Sequence, residues 1–133
     1  MNIDDLTPFY LSMPGGTGWP GTFQLGTSSA DWANGVATDS SGNVYVTGYT
    51  EGGLDGTNEG NKDLFVVKYN SSGTKQWTKQ LGSPQTDRAY GVATDSSGNV
   101  YVAGYTYGGL DGNTNAGNAD IFVVKYNSSG TKQ

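Results

Sequence analysis

The chain has 133 residues, 22 of them Gly, with twelve Asp or Glu against seven Lys or Arg, a net charge of −5, and neither His nor Cys. That balance argues against a nucleic-acid partner, which needs a basic face. The missing His and Cys exclude Ser-His-Asp and Cys-His sites, disulfides and thiolate zinc sites.

One domain, or a piece of a larger protein, is the expectation from this length. Abundant Gly and few charges suit short strands joined by tight turns, and Tyr and Val suit a pleated, buried surface. Residues 1–10 carry no basic and apolar leader pattern, so no signal peptide is visible. No apolar run approaches the roughly 20 residues of a membrane span.

Residues 1–18 read as an extended arm, with Pro8, Pro14 and the Gly15-Gly16 pair opposing regular structure. Residues 19–34 read as an outer strand near Gly21–Gly26 and a connector, completing a neighbouring or terminal blade. Residues 35–90 form the first full unit. Its strands are expected at Gly35–Thr38, Val44–Tyr49, Leu64–Tyr69 and Lys75–Leu81, with turns at Asp39–Asn43 and Asn70–Gly73. The second and third of these are apolar on both faces, as in a sheet covered on both sides.

The unit then returns. Residues 35–50 match 91–106 at an offset of 56 residues with one difference, Thr47 against Ala103. Residues 63–76 match 120–133, with Leu64 against Ile121 as the one difference. The second unit, residues 91–133, lacks its own outer strand. Four antiparallel strands repeated at this spacing predict an all-β fold of propeller blades. A stacked solenoid would need a shorter repeat without hairpins. Gln24-Leu25-Gly26 falls on Gln80-Leu81-Gly82, so residues 21–133 amount to two four-stranded blades, circularly offset by one outer strand.

Two blades cannot close a ring, which takes about four to eight. Apolar blade faces left in water would forfeit energy comparable to the whole stability of a domain. Self-association through open faces and strand exchange is therefore expected, as a homo-oligomeric ring, a head-to-tail fibre or part of a longer chain. Gln24, Leu25, Phe122, Val124 and Tyr126 are the candidate assembly residues.

The run Gly-Val-Ala-Thr-Asp-Ser-Ser-Gly-Asn-Val-Tyr-Val-Thr-Gly-Tyr-Thr from Gly35, followed by Asp-Leu-Phe-Val-Val-Lys-Tyr-Asn from Asp63, resembles the bacterial β-propeller repeat called the SBBP repeat. The resemblance covers about residues 21–133. It implies propeller blades in multi-repeat bacterial proteins of the cell surface or extracellular space, and no defined enzymatic activity.

No catalytic residue can be named, since Asp31/Asp87, Asp39/Asp95, Asp55/Asp111 and Asp63/Asp120 recur at the repeat period and a catalytic site needs an asymmetric constellation. Asp39 and Asp95 are expected to accept backbone N–H groups in their turns, and Asp31 and Asp87 to act likewise ahead of the first strand. The sharpest local signal is the loop Asp55, Glu59, Asp63 and its counterpart Asp111, Asn113, Asn115, Asp120. Spaced oxygens around Gly suggest a Ca²⁺ loop. Against that, neither copy matches the ordered Ca²⁺-loop pattern, and Ala116 replaces Glu59; a plain Asx/Gly loop is the competing reading. Trp32, Tyr90 and Tyr107 could stack on sugars or pack between blades. The leading function is a non-catalytic structural or interaction module without a cofactor. The alternative is a multivalent, lectin-like propeller binding glycans through loops 51–62 and 107–119.

Overall fold

The computed structural model describes residues 18–19 and 21–133, so the expected arm lies outside the described residues apart from Gly18. Seven strands follow in chain order: β1 (Asp31–Thr38), β2 (Val44–Thr50), β3 (Asp63–Tyr69), β4 (Lys75–Leu81), β5 (Asp87–Thr94), β6 (Val100–Thr106) and β7 (Asp120–Tyr126). They form a four-stranded sheet, β1-β2-β3-β4, and a three-stranded sheet, β5-β6-β7. All pairings are antiparallel and join sequence neighbours. The first blade is thus complete, and the second lacks a fourth strand, as the repeat count predicts.

Tight turns set the register. Asp39 and Gly42 close the β1–β2 turn through the Asp39 N–H to the Asn43 carbonyl (3.1 Å) and the Gly42 N–H to the Asp39 carbonyl (3.1 Å). Gly42 sits at φ 79°, which a side chain would strain. The first strand starts earlier than its apolar residues suggest, at Asp31 and not Gly35. Trp32 pairs with Tyr49 and stacks on its ring at 4.8 Å, so pairing extends past an irregularity between Ala33 and Gly35. A methyl on Gly48 would lie 1.8 Å from the Trp32 carbonyl oxygen, which explains glycine at that close approach.

Each blade has two unlike faces. In blade 1 the front face carries Tyr45, Leu64 and Val66, and the back face carries Val44, Val46, Phe65, Val67 and Tyr69, as strand alternation requires. The front of blade 1 packs on the back of blade 2. Tyr45, Leu64, Val66, Val100, Val102, Val124 and Tyr126 form one buried cluster, with Trp77, Leu81, Val92 and Phe122 packed against it. Phe65, Val67 and Tyr69 form a second cluster, covered in part by Trp19 and Leu54. Residues 22–27 adopt no strand, in contrast to the expected outer strand. Among the described residues no strand lies alongside to take up their backbone hydrogen bonds, and residues 23–25 lie over the back of blade 1 beside Val46, Phe65 and Val67.

Candidate functional site

The chemistry of this chain lies at the junction between its blades. Front-to-back packing there is fixed by polar contacts at its rim. Lys68 Nζ and Trp77 Nε1 both donate to the Ser128 carbonyl (2.9 and 3.1 Å). Thr94 Oγ1 donates to the Thr38 carbonyl (3.0 Å), and Asn34 Nδ2 donates to the Ala89 carbonyl (2.9 Å). Arg88 of blade 2 lies over the Tyr49 ring of blade 1 at 4.7 Å and donates to Tyr105 Oη (3.1 Å). The burial of Tyr126 in this junction, with the Asp111 and Asp55 charges nearby, pushes its hydroxyl up to about 12.

Among the described residues nothing covers the equivalent front face of blade 2 in this way. Ile121 is 90% exposed and Val123 is 69% exposed, whereas their copies Leu64 and Val66 are both at 0%. Phe122, Val124 and Tyr126, three of the candidate assembly residues, lie instead on the opposite face, inside the junction. The other two, Gln24 and Leu25, line a cavity of about 290 Å³ on the back of blade 1, together with Val46, Leu54, Phe65 and Val67.

The recurring aspartates close loops. Asp39 accepts from the Ser41 and Asn43 N–H groups (2.9 and 3.0 Å), from Asn43 Nδ2 and from Tyr45 Oη (2.9 Å). Asp95 repeats this with Ser97, Asn99 and Tyr101. Asp31 accepts from the Thr27 N–H (2.7 Å) and Thr50 Oγ1 (2.5 Å); Asp87 accepts from the Ser83 N–H (2.6 Å) and Thr106 Oγ1.

These contacts move the carboxyl groups. Burial alone would raise Asp31 and Asp39, but their hydrogen-bond donors outweigh it and hold both below 3.8. The Asn99 side chain does most to hold Asp95 at about 2; burial opposes it, and the Asn99 N–H, the Tyr101 hydroxyl and the Ser97 N–H together overcome that opposition. A carboxyl lowered in the fold stabilises it above the unfolded value and loses that contribution as pH falls through the folded value. The melting temperature should therefore stay level above pH ~5 and fall between about pH 4 and 2, followed by circular dichroism.

The candidate Ca²⁺ residues are spread over separate tasks. Asp63 Oδ2 accepts from the Glu59 N–H (2.8 Å), and Asp120 Oδ2 accepts from the Ala116 N–H (2.7 Å). Asp111 pairs with Lys132. Asn115 turns its side chain on its own loop, accepting from the Gly117 N–H (2.6 Å). Asn113 Nδ2 donates to the Leu110 carbonyl (2.8 Å), and the Asp55 N–H donates to Gln80 Oε1 (3.1 Å). Among the described residues no three acidic side chains converge. The exposed rings pack on neighbours: Trp32 on Tyr49, Tyr90 on Tyr105 at 5.6 Å, and Tyr107 edge-on to Tyr105 at 5.5 Å.

Gln80 is the residue that sequence reasoning missed. From β4 its amide clamps loop 51–62, accepting from the Leu54 N–H (2.8 Å) and donating to the Gly52 carbonyl (3.0 Å) and Asp63 Oδ2 (2.9 Å). Its alignment with Gln24 was the available signal.

The β-propeller repeat model of the SBBP family matches residues 22–55 and 76–111. The regulatory protein FlaEY of Caulobacter vibrioides is 32% identical over 74 residues, covering 53% of this chain and 8% of that protein. A protein of Acanthamoeba polyphaga mimivirus, described as an uncharacterized WD repeat-containing protein, is 30% identical over 104 residues, covering 65% of this chain and 7% of its own length. The chain therefore spans less than a tenth of either relative. With the repeat model covering more than half of its residues and antiparallel blades packed front to back, the chain belongs to the SBBP β-propeller repeat family.

Proposed function

We propose that the chain is a non-catalytic structural and interaction module, extended by further blades into a ring, a head-to-tail fibre or a longer propeller, in a bacterial surface or extracellular setting. The observation that carries this reading is the contrast between Ile121 and Val123, largely exposed, and Leu64 and Val66, fully buried at the same places of the same repeat. A face of closely similar apolar chemistry is covered in one blade and open in the next. Apolar surface of that kind gains about 25 cal/mol for each Å² removed from water, and the back of a blade is its matching surface.

Open front and covered back give a heterologous contact, which builds rings when the rotation closes and filaments when it does not. Light scattering tests the reading. The chain should show a mass that is a multiple of 13.9 kDa at micromolar concentration. The double variant Ile121→Lys, Val123→Lys should show 13.9 kDa with its β signal in circular dichroism intact. A wild-type chain that stays dispersed as a monomer rejects the ring and the fibre.

A further inference from the structure

The first two strands of each blade are near-copies, and their differences gather at one corner of the blade junction. Between residues 31–51 and 87–107 four positions differ: Trp32 against Arg88, Asn34 against Tyr90, Thr47 against Ala103 and Glu51 against Tyr107. Arg88, Tyr90 and Tyr107, three of the four blade-2 residues, fall together in the structure around Tyr105. A frame that is repeated while one cluster changes has its chemistry in the cluster.

The cluster is a row of rings with a cation inside it. Trp32 stacks on Tyr49 with ring centroids 4.8 Å apart, and the Arg88 guanidinium lies 4.7 Å from the centroid of that same Tyr49 ring. Arg88 Nη1 donates to Tyr105 Oη (3.1 Å), Tyr105 stacks on Tyr90 at 5.6 Å, and Tyr107 meets it edge-on at 5.5 Å. A hydrogen bond with Arg88 holds the Tyr90 hydroxyl below its ordinary value, which sets that oxygen beside the guanidinium as well. Trp32, Tyr90 and Tyr107 are 42%, 46% and 47% exposed, so the row is open to solvent.

Arg88 is the single arginine of the chain, and its surroundings are tyrosines. The ion pairs among the described residues join Lys62 to Glu51 and Lys132 to Asp111, so no carboxylate there pairs with Arg88. Its Nε–H is buried without an acceptor. A partly buried cation without a counter-ion is costly, and this chain of net charge −5 has acidic side chains to spare. A guanidinium fork matches a carboxylate, whose two oxygens it binds side by side.

We propose that this patch binds an acidic polysaccharide, with the carboxylate of a uronate unit on the Arg88 fork and pyranose rings against Trp32 and Tyr90. Trp and Tyr offer rigid flat faces with polar rims to a sugar that is apolar on its C–H face and polar at its edge. An acidic peptide side chain would use the fork and leave the rings idle, so the rings favour a sugar. A nucleic acid needs a run of phosphate contacts, which one cation does not supply. Trp32 and Tyr49 come from blade 1 and Arg88 from blade 2, so the site is complete within one chain and does not depend on extension by further blades.

Calorimetric titration of the full chain tests the proposal, with tri-galacturonate as the probe and its methyl ester, tri-glutamate and sodium sulfate as comparisons. Tri-galacturonate should bind with a Kd at or below about 1 mM, and the ester at least about tenfold more weakly. Arg88→Gln and Trp32→Ala should each weaken binding about tenfold or more. Tyr90→Leu changes an exposed ring that the fold does not need, and should weaken it about threefold. Lys125 lies over Tyr101 at the far end of β6, so Lys125→Gln makes the same change in net charge outside the patch and should leave the Kd within about twofold. Circular dichroism reports the fold of each variant. No binding of tri-galacturonate at about 10 mM overturns the proposal, as does a Kd unchanged in both Trp32→Ala and Tyr90→Leu. Equal binding of the ester overturns it too, and equal or tighter binding of tri-glutamate or sulfate replaces it with a peptide or a bare-anion site.

Discussion

Replacing Asp87 by Ala should cost about 3 kcal/mol or more, enough to lower the melting temperature by roughly 10 °C or more. Asp87 is fully buried where the connector from blade 1 enters blade 2. Its carboxyl group accepts the Ser83 N–H at 2.6 Å, Ser83 Oγ at 3.0 Å and the hydroxyl of Thr106, and Ser83 is 2% exposed. A buried donor left without an acceptor costs on the order of 1–3 kcal/mol, and alanine strands several at once. Asn at the same position keeps one acceptor oxygen but turns an amide N–H₂ toward other donors, so its loss should be smaller but still measurable. Asp31, the copy in blade 1, is partly exposed and accepts from a solvent-facing loop. Asp31→Ala should therefore lose markedly less. Thermal unfolding of the three variants decides it, and an Asp87→Ala variant within 1 kcal/mol of wild type would show that the connector does not depend on this group.

Gly104→Ala should be similarly damaging, by about 3 kcal/mol, the upper end of what overpacking costs. The added methyl would stand 1.9 Å from the Arg88 carbonyl oxygen and 2.8 Å from the Ala89 Cα. Both obstacles are backbone, and a Cβ has no rotamer with which to escape, so β5 and β6 would have to part where Ala89 pairs with Gly104. Gly91→Ala is the matched control. Nothing lies within 4 Å of a methyl there, and its φ is not positive, so its effect should stay within about 0.5 kcal/mol. Urea unfolding with unchanged slope separates the two; equal midpoints for both variants would refute the steric argument.

Much of the fold was legible because the repeat states the same instruction twice. The apolar runs at Val44 and Leu64 and the Asp-Ser-Ser-Gly-Asn turn between β1 and β2 lie where their residues place them, and β4 runs over Lys75–Leu81 as expected. The front and back faces follow from strand alternation alone. What the sequence hid were contacts that join distant parts of the chain. Lys68 and Trp77 reaching Ser128, and Asn34 reaching the Ala89 carbonyl, depend on how one sheet leans on the next, which no local pattern records. The segment at Gly21–Gly26 carried strand chemistry, yet a strand exists only with a neighbour to bond. The spaced acidic residues of the long loops also tie those loops to their own backbone, as Asp63 and Asp120 do, a role that spacing alone does not display.

Because every strand in this chain pairs with its neighbour in sequence, each sheet can be built from contacts made over a few dozen residues. Loop closure between such near neighbours is fast, and low contact order favours rapid folding even in an all-β protein. Blade 1 can be finished while later residues are still emerging from the ribosome, ahead of its near-identical successor. That order matters, since β2 and β6 differ at one residue and either could pair with β3 or β7. Short tethers and sequential synthesis, not strand chemistry, keep duplicated blades from exchanging their parts.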